Sequence, residues 1–73
     1  MPRKPAPPVP PATMPADAIG FVARRPDRPE RLALFLRNGA LNSTFAIDEG
    51  FDEIRAALAP QGLRLLDDGS VVR

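Results

Sequence analysis

The 73-residue sequence predicts a small α+β module, with an antiparallel sheet of about three to five strands packed on one helix and a disordered proline-rich arm in front. Three observations carry this. Residues 31–47 alternate large apolar and small or polar side chains about Asn38-Gly39. Phe51, Ile54 and Leu58 recur at helical spacing ahead of Pro60 and Gly62. Seven of the first 15 residues are proline. Alternation with period two marks a half-buried strand, and spacings of three and four mark one face of a helix.

In the arm, residues 1–16, the stretch PRKPAPPVPP lacks amide donors at most positions and has fixed φ angles, which favours extended polyproline II and leaves the arm disordered or loosely extended. Lys4, Pro7 and Pro10 match a basic-plus-PxxP ligand pattern, and Arg3 and Lys4 are candidate contacts for an anionic partner. Residues 17–73 then form the binding module. A domain of that size hides only about 60% of its unfolded surface, so it is marginal alone. Without cysteine or histidine, it has neither disulfides nor Cys/His metal sites to help. Homodimerisation is one way such a small domain gains stability.

Ile19–Arg25, IGFVARR, reads as the first strand, with Ile19, Phe21 and Ala23 on one face and Val22 and Arg24 on the other. PDRPE follows as a loop stiffened by two prolines. Residues 31–47 read as a hairpin with Asn38-Gly39 in a type I′ turn, pairing Leu36 with Leu41, Leu34 with Ser43 and Leu32 with Phe45. Leu32, Leu34, Leu36, Leu41, Phe45 and Ile47 then share one face, and Arg31, Ala33, Phe35 and Arg37 lie on the other. A helical alternative remains for 28–38: Asp27-x-x-Glu30 resembles a capping box, and Asn38-Gly39 would be a left-handed C-cap. It places Leu34 away from the stripe that Leu32, Phe35 and Leu36 would form.

Residues 49–59 form the helix, with Asp48 as N-cap and Glu49, Asp52 and Glu53 where the helix dipole favours negative charge. Pro60 ends it, and Gly62 suits a left-handed position beyond. Asp68-Gly69 turns a second hairpin pairing Leu66 with Val71 and Leu65 with Val72. Phe21, Phe45 and Phe51 are assigned to the core.

The helical alternative, strand then helix then helix, resembles a ribbon-helix-helix repressor. That resemblance implies a dimer that reads DNA with paired strands.

Net charge is +1, but residues 1–47 carry seven Lys/Arg against three Asp/Glu, and residues 48–73 carry three against six. A basic front half suits an anionic partner, nucleic acid or an acidic protein face. With no histidine or cysteine, the usual general base and thiol nucleophile are missing. Ser43, Thr44 and Ser70 stand in no activating context. No cofactor and no catalytic residue is expected, and the chain is read as not an enzyme. No apolar run reaches membrane-spanning length and no signal peptide is visible, so a cytoplasmic location is expected.

The candidate contact surface is the sheet face opposite the helix: Val22 and Phe35 among Arg24, Arg31 and Arg37, with Arg25 and Arg28 in the adjoining loop. An exposed aromatic ringed by arginines suits a contact with protein or nucleic acid. The function expected is a regulatory protein that docks on a larger protein assembly such as the transcription machinery. The alternative is a dimeric nucleic-acid-binding repressor.

Overall fold

The computed structural model describes residues 8–47 and 50–73. The order of elements is β1 (Gly20–Arg24), β2 (Leu32–Leu36), a 3-10 turn at Ser43–Phe45, α1 (Phe51–Leu58), a second 3-10 turn at Ala59–Gln61, β3 (Arg64–Leu65) and β4 (Ser70–Val72). They make one four-stranded sheet, in the order β2-β1-β4-β3, with every neighbouring pair antiparallel. The α+β class with one helix is as expected from sequence. The residues of the helical alternative, and with them the ribbon-helix-helix architecture, are otherwise disposed: Leu32–Leu36 is strand, and the described residues hold a single α-helix.

β1 and β2 are joined by the loop at residues 25–31 and paired over five positions, from Gly20↔Leu36 to Arg24↔Leu32. At Gly20 the pairing leaves no room for a side chain, since an added Cβ would fall on the Phe35 carbonyl oxygen. Opposed residues of an antiparallel pair share a face. Val22↔Leu34 therefore point one way, and Phe21↔Phe35 the other. This corrects the sequence assignment, which put Val22 on the open face with Phe35 and gave Phe21 to the helix side. Val22 belongs under the helix, with Leu34, Ile54, Leu58, Leu63, Leu65 and Val71. Phe21, Ala33 and Phe35 form a separate cluster on the second face. The parity error is one residue, which is enough to exchange the faces of a strand.

Both glycine turns form, but each contains one residue more than a type I′ turn. Leu36 N–H donates to Ala40 O at 2.7 Å and Gly39 N–H to Leu36 O at 2.9 Å. Leu66 N–H donates to Ser70 O at 2.8 Å and Gly69 N–H to Leu66 O at 3.0 Å. A type I′ turn needs positive φ at both central residues. Here no non-glycine residue has it, while Gly39 (φ 86°) and Gly69 (φ 93°) do. This is the three-residue loop closed by a left-handed glycine bulge. The residue before each glycine stiffens it: Asn38 Oδ1 accepts from Ala40 N–H at 3.0 Å, and Asp68 Oδ1 from Ser70 N–H at 2.8 Å. The added residue shifts both predicted registers by one. Leu65 pairs with Val71, not Val72, and Phe35 bridges Leu41 where Leu36 was expected to.

The two hairpins then part. β4 runs between β1 and β3 and is buried along its length. The arm after Gly39 pairs only as far as Asn42, whose N–H donates to Leu34 O at 3.0 Å. There the Asn42 side chain accepts from Thr44 N–H at 3.0 Å and caps the 3-10 turn. The long ribbon expected over 31–47 is thus replaced by a short return, with Phe45 and Ile47 packed against the helix-side core.

The helix is shorter than expected. It begins at Phe51 with Gly50 as N-cap and no side-chain cap bond, and the expected Asp48 cap and Glu49 lie outside the described residues. Ile54 and Leu58, one turn apart, are fully buried. Phe51 is 45% exposed and is not core, contrary to its sequence assignment. Gly62 takes the left-handed C-cap role (φ 74°), and Leu63 N–H donates to Leu58 O at 3.2 Å as the chain turns into β3.

Candidate functional site

The sheet's second face is partly covered by the N-terminal chain. Of the proline-rich arm expected over 1–16, residues 1–7, including Arg3, Lys4 and Pro7 of the ligand pattern, lie outside the described residues. From Pro8 onward the chain lies on the sheet as a strap of two β-turns, in which Met14 N–H donates to Pro11 O and Ala18 N–H to Pro15 O, both at 3.1 Å. The turns lie C-terminal to the run of prolines read as polyproline II, most of which falls outside the described residues. The strap's prolines supply no donors for a strand ladder, so it attaches by other means.

Three ties hold the strap. Met14 packs against the cluster of Phe21, Ala33 and Phe35, in which the two rings stack at 5.9 Å between centroids. The Arg37 guanidinium donates to the carbonyls of Ala16 and Ala18. Thr13 Oγ1 donates to Asp68 Oδ2 at 2.8 Å. The Ser70 amide and then the Thr13 hydroxyl, both donating to Asp68, hold its carboxyl below the usual carboxylate range. One turn residue thus stiffens the β3–β4 hairpin and fastens the strap.

The strap leaves the β2 side of this face open. A groove of about 340 Å³ runs there, floored by Phe35, Gly39 and Leu41 and walled by Pro8 on one side and Arg25, Pro26 and Asp27 on the other. Leu41 is 42% exposed, and the bulged register is what turns it toward Phe35.

The site residues expected from sequence are dispersed. Val22 is buried beneath the helix. Phe35 is only 3% exposed; it is the floor of the face and not an aromatic standing free among arginines. Arg25 makes a two-point ion pair with Asp27, Nε to Oδ1 at 3.1 Å and Nη2 to Oδ2 at 2.9 Å, and this guanidinium lowers the Asp27 pKa. Arg24 Nη1 donates to Pro29 O at 2.8 Å. Arg25 and Arg24 therefore brace the β1–β2 loop, which also closes through Arg25 N–H to Arg31 O at 2.9 Å. Arg28 is exposed and Arg31 half-buried. Arg37 stays on the face, as a donor to the strap.

Pro8, Met14, Asp27 and Leu41 were missed by sequence reasoning. Met14 carried a usable signal, since Met14 and Val9 are the large apolar residues inside an otherwise proline- and alanine-rich stretch. Leu41 carried none, because its face depends on the number of residues in the turn.

Among the described residues no group of acidic side chains is arranged to hold a metal ion, and no helix is long and apolar enough to cross a membrane. Comparison with protein families, with curated proteins and with solved structures finds no match to this chain.

Proposed function

We propose that this chain is a non-enzymatic regulatory module that docks on a larger protein assembly through the groove on the second sheet face. The observation that supports it is the groove itself: an apolar floor at Phe35 and Leu41, with walls of Pro8 and Pro26 and the paired charges of Arg25 and Asp27. Its volume lies at the small end of ligand pockets, suited to one or two large apolar side chains. The Arg25–Asp27 pair beside it is internally neutralised, and neither residue is spare for phosphate. Protein interfaces of this kind place apolar anchors in a desolvated centre and leave charge at the margin. The transcription machinery is a reasonable host for so small an accessory protein, by analogy of form.

The test is site-specific photocrosslinking in the full chain, with Leu41 replaced by benzoylphenylalanine and, as control, the exposed helix residue Ala56 replaced in the same way. Protein adducts from position 41 that survive moderate salt and are absent from position 56 support the docking role. Nucleic-acid adducts, lost steeply as salt rises, overturn it.

A further inference from the structure

The second face already holds a peptide, the chain's own strap, and the manner of holding says what else it accepts. Arg37 reads two backbone carbonyls, Ala16 O and Ala18 O, which any sequence provides. The stacked Phe21 and Phe35 rings take one side chain, Met14, which remains only partly buried. Thr13 adds a single bond to Asp68. No strand ladder joins strap to sheet: its described backbone bonds up to Ala18 are the two internal turns. The strap is attached at a few points: one reads only backbone, and the others need an apolar anchor at Met14 and a hydroxyl at Thr13.

Resting on the docking role above, we infer that the second face is a peptide-docking face. Its external ligand is a proline-rich segment of another chain with one methionine-like anchor, which displaces the strap. Prolines fix φ before binding, so such a segment loses less conformational entropy than a flexible one. Its carbonyls, free of internal ladder bonds, suit Arg37. The anchor packs on the Phe21, Ala33 and Phe35 cluster in the place that Met14 takes. The groove beside Pro8 continues this face through Phe35, and it gives the incoming segment a contact that the strap leaves unfilled. Displacement is by replacement, because an empty face would expose Phe21 and Phe35. The tethered strap competes at high effective concentration, so binding to the unaltered chain is weak until the strap is loosened.

The experiment uses the full chain and a fluorescein-labelled peptide with the sequence of residues 8–18, read by fluorescence anisotropy. Met14→Asp in the chain, which weakens its own strap, is expected to tighten peptide binding by at least about tenfold over the unaltered chain. The peptide carrying its own Met14→Asp is expected not to bind. A Met14→Asp chain that unfolds cooperatively yet binds neither peptide, or binds both equally, overturns the inference. Should Met14→Asp prevent folding, Thr13→Val in the chain removes only the Asp68 tie. A smaller gain in peptide affinity then supports the inference, and no gain overturns it. Loss of peptide binding with the Leu41 protein adducts intact overturns the peptide assignment alone. Loss of those adducts with peptide binding intact overturns the docking role alone.

Discussion

The two faces of the sheet are covered by different means. On one, α1 lays Ile54 and Leu58 over Val22, Leu34, Leu65 and Val71, a layer of interlocked aliphatic side chains on two regular elements. On the other, a strap of two turns covers Phe21, Ala33 and Phe35 with Met14 and leaves a groove beside it. The helix satisfies its own backbone hydrogen bonds and is committed to burial by its apolar stripe. The strap has no such stripe, and no strand ladder joins its described residues to the sheet. On the proposal above, it is the cover that is exchanged and the face beneath it is the one that binds.

Several substitutions sharpen this contrast. The largest effect is expected at Gly20, where β1 and β2 approach too closely for a side chain and both faces depend on the pairing. Gly20→Ala places a methyl group against the Phe35 carbonyl. It should cost about 4 kcal/mol or more, enough to remove the cooperative thermal transition of so small a domain. An unchanged transition would show that the strands separate at that pair without cost.

Next come the two covers themselves. Leu58→Ala, in the fully buried helix layer, should cost about 4 kcal/mol by urea denaturation, because rigid elements leave the cavity open. Phe35→Ala removes a larger side chain but should cost less, about 3 kcal/mol, since the strap can settle into the space. The reverse order would make the strap the stiffer layer and end the distinction drawn here.

The smallest effect is electrostatic. Asp68 titrates below its ordinary value of 3.8, through the bonds it accepts from the Ser70 amide and the Thr13 hydroxyl. Its carboxylate is favoured by folding, so its stabilisation is present above that ordinary value and is lost as pH falls through the lower folded one. Amide exchange at Met14 and Ala18 should therefore rise relative to the helix amides on acidification below about pH 4. In Thr13→Val the strap's share of that dependence should vanish. Strap and helix amides responding in parallel would show one cooperative unit.

Much of the fold was legible in residues that act locally. Gly62 was placed beyond the helix because a left-handed C-cap favours glycine, and it takes that conformation. Ile54 and Leu58 followed from spacing. Asn38-Gly39 and Asp68-Gly69 were recognised as turns, and both turn. The errors came from parity. One residue more in each turn moved Leu41 beside Phe35, and the partner chosen by β1 sent Val22 under the helix. Phe51 was misplaced because a stripe of three was extended to the first residue of the helix, which is exposed. Of the site, Phe35 and Arg37 were found, but with a different role: a buried floor and a donor to the chain's own carbonyls.

The sequence by itself determined the kinds of element, the positions of the turns and the C-terminal end of the helix, because backbone φ preferences and apolar spacing act within a few residues. Tertiary structure alone decided which face each strand residue took, where the arm came to rest, and hence where the groove lies. Those depend on pairing between segments far apart in the chain, and a shift of one residue there reverses the outcome at little local cost.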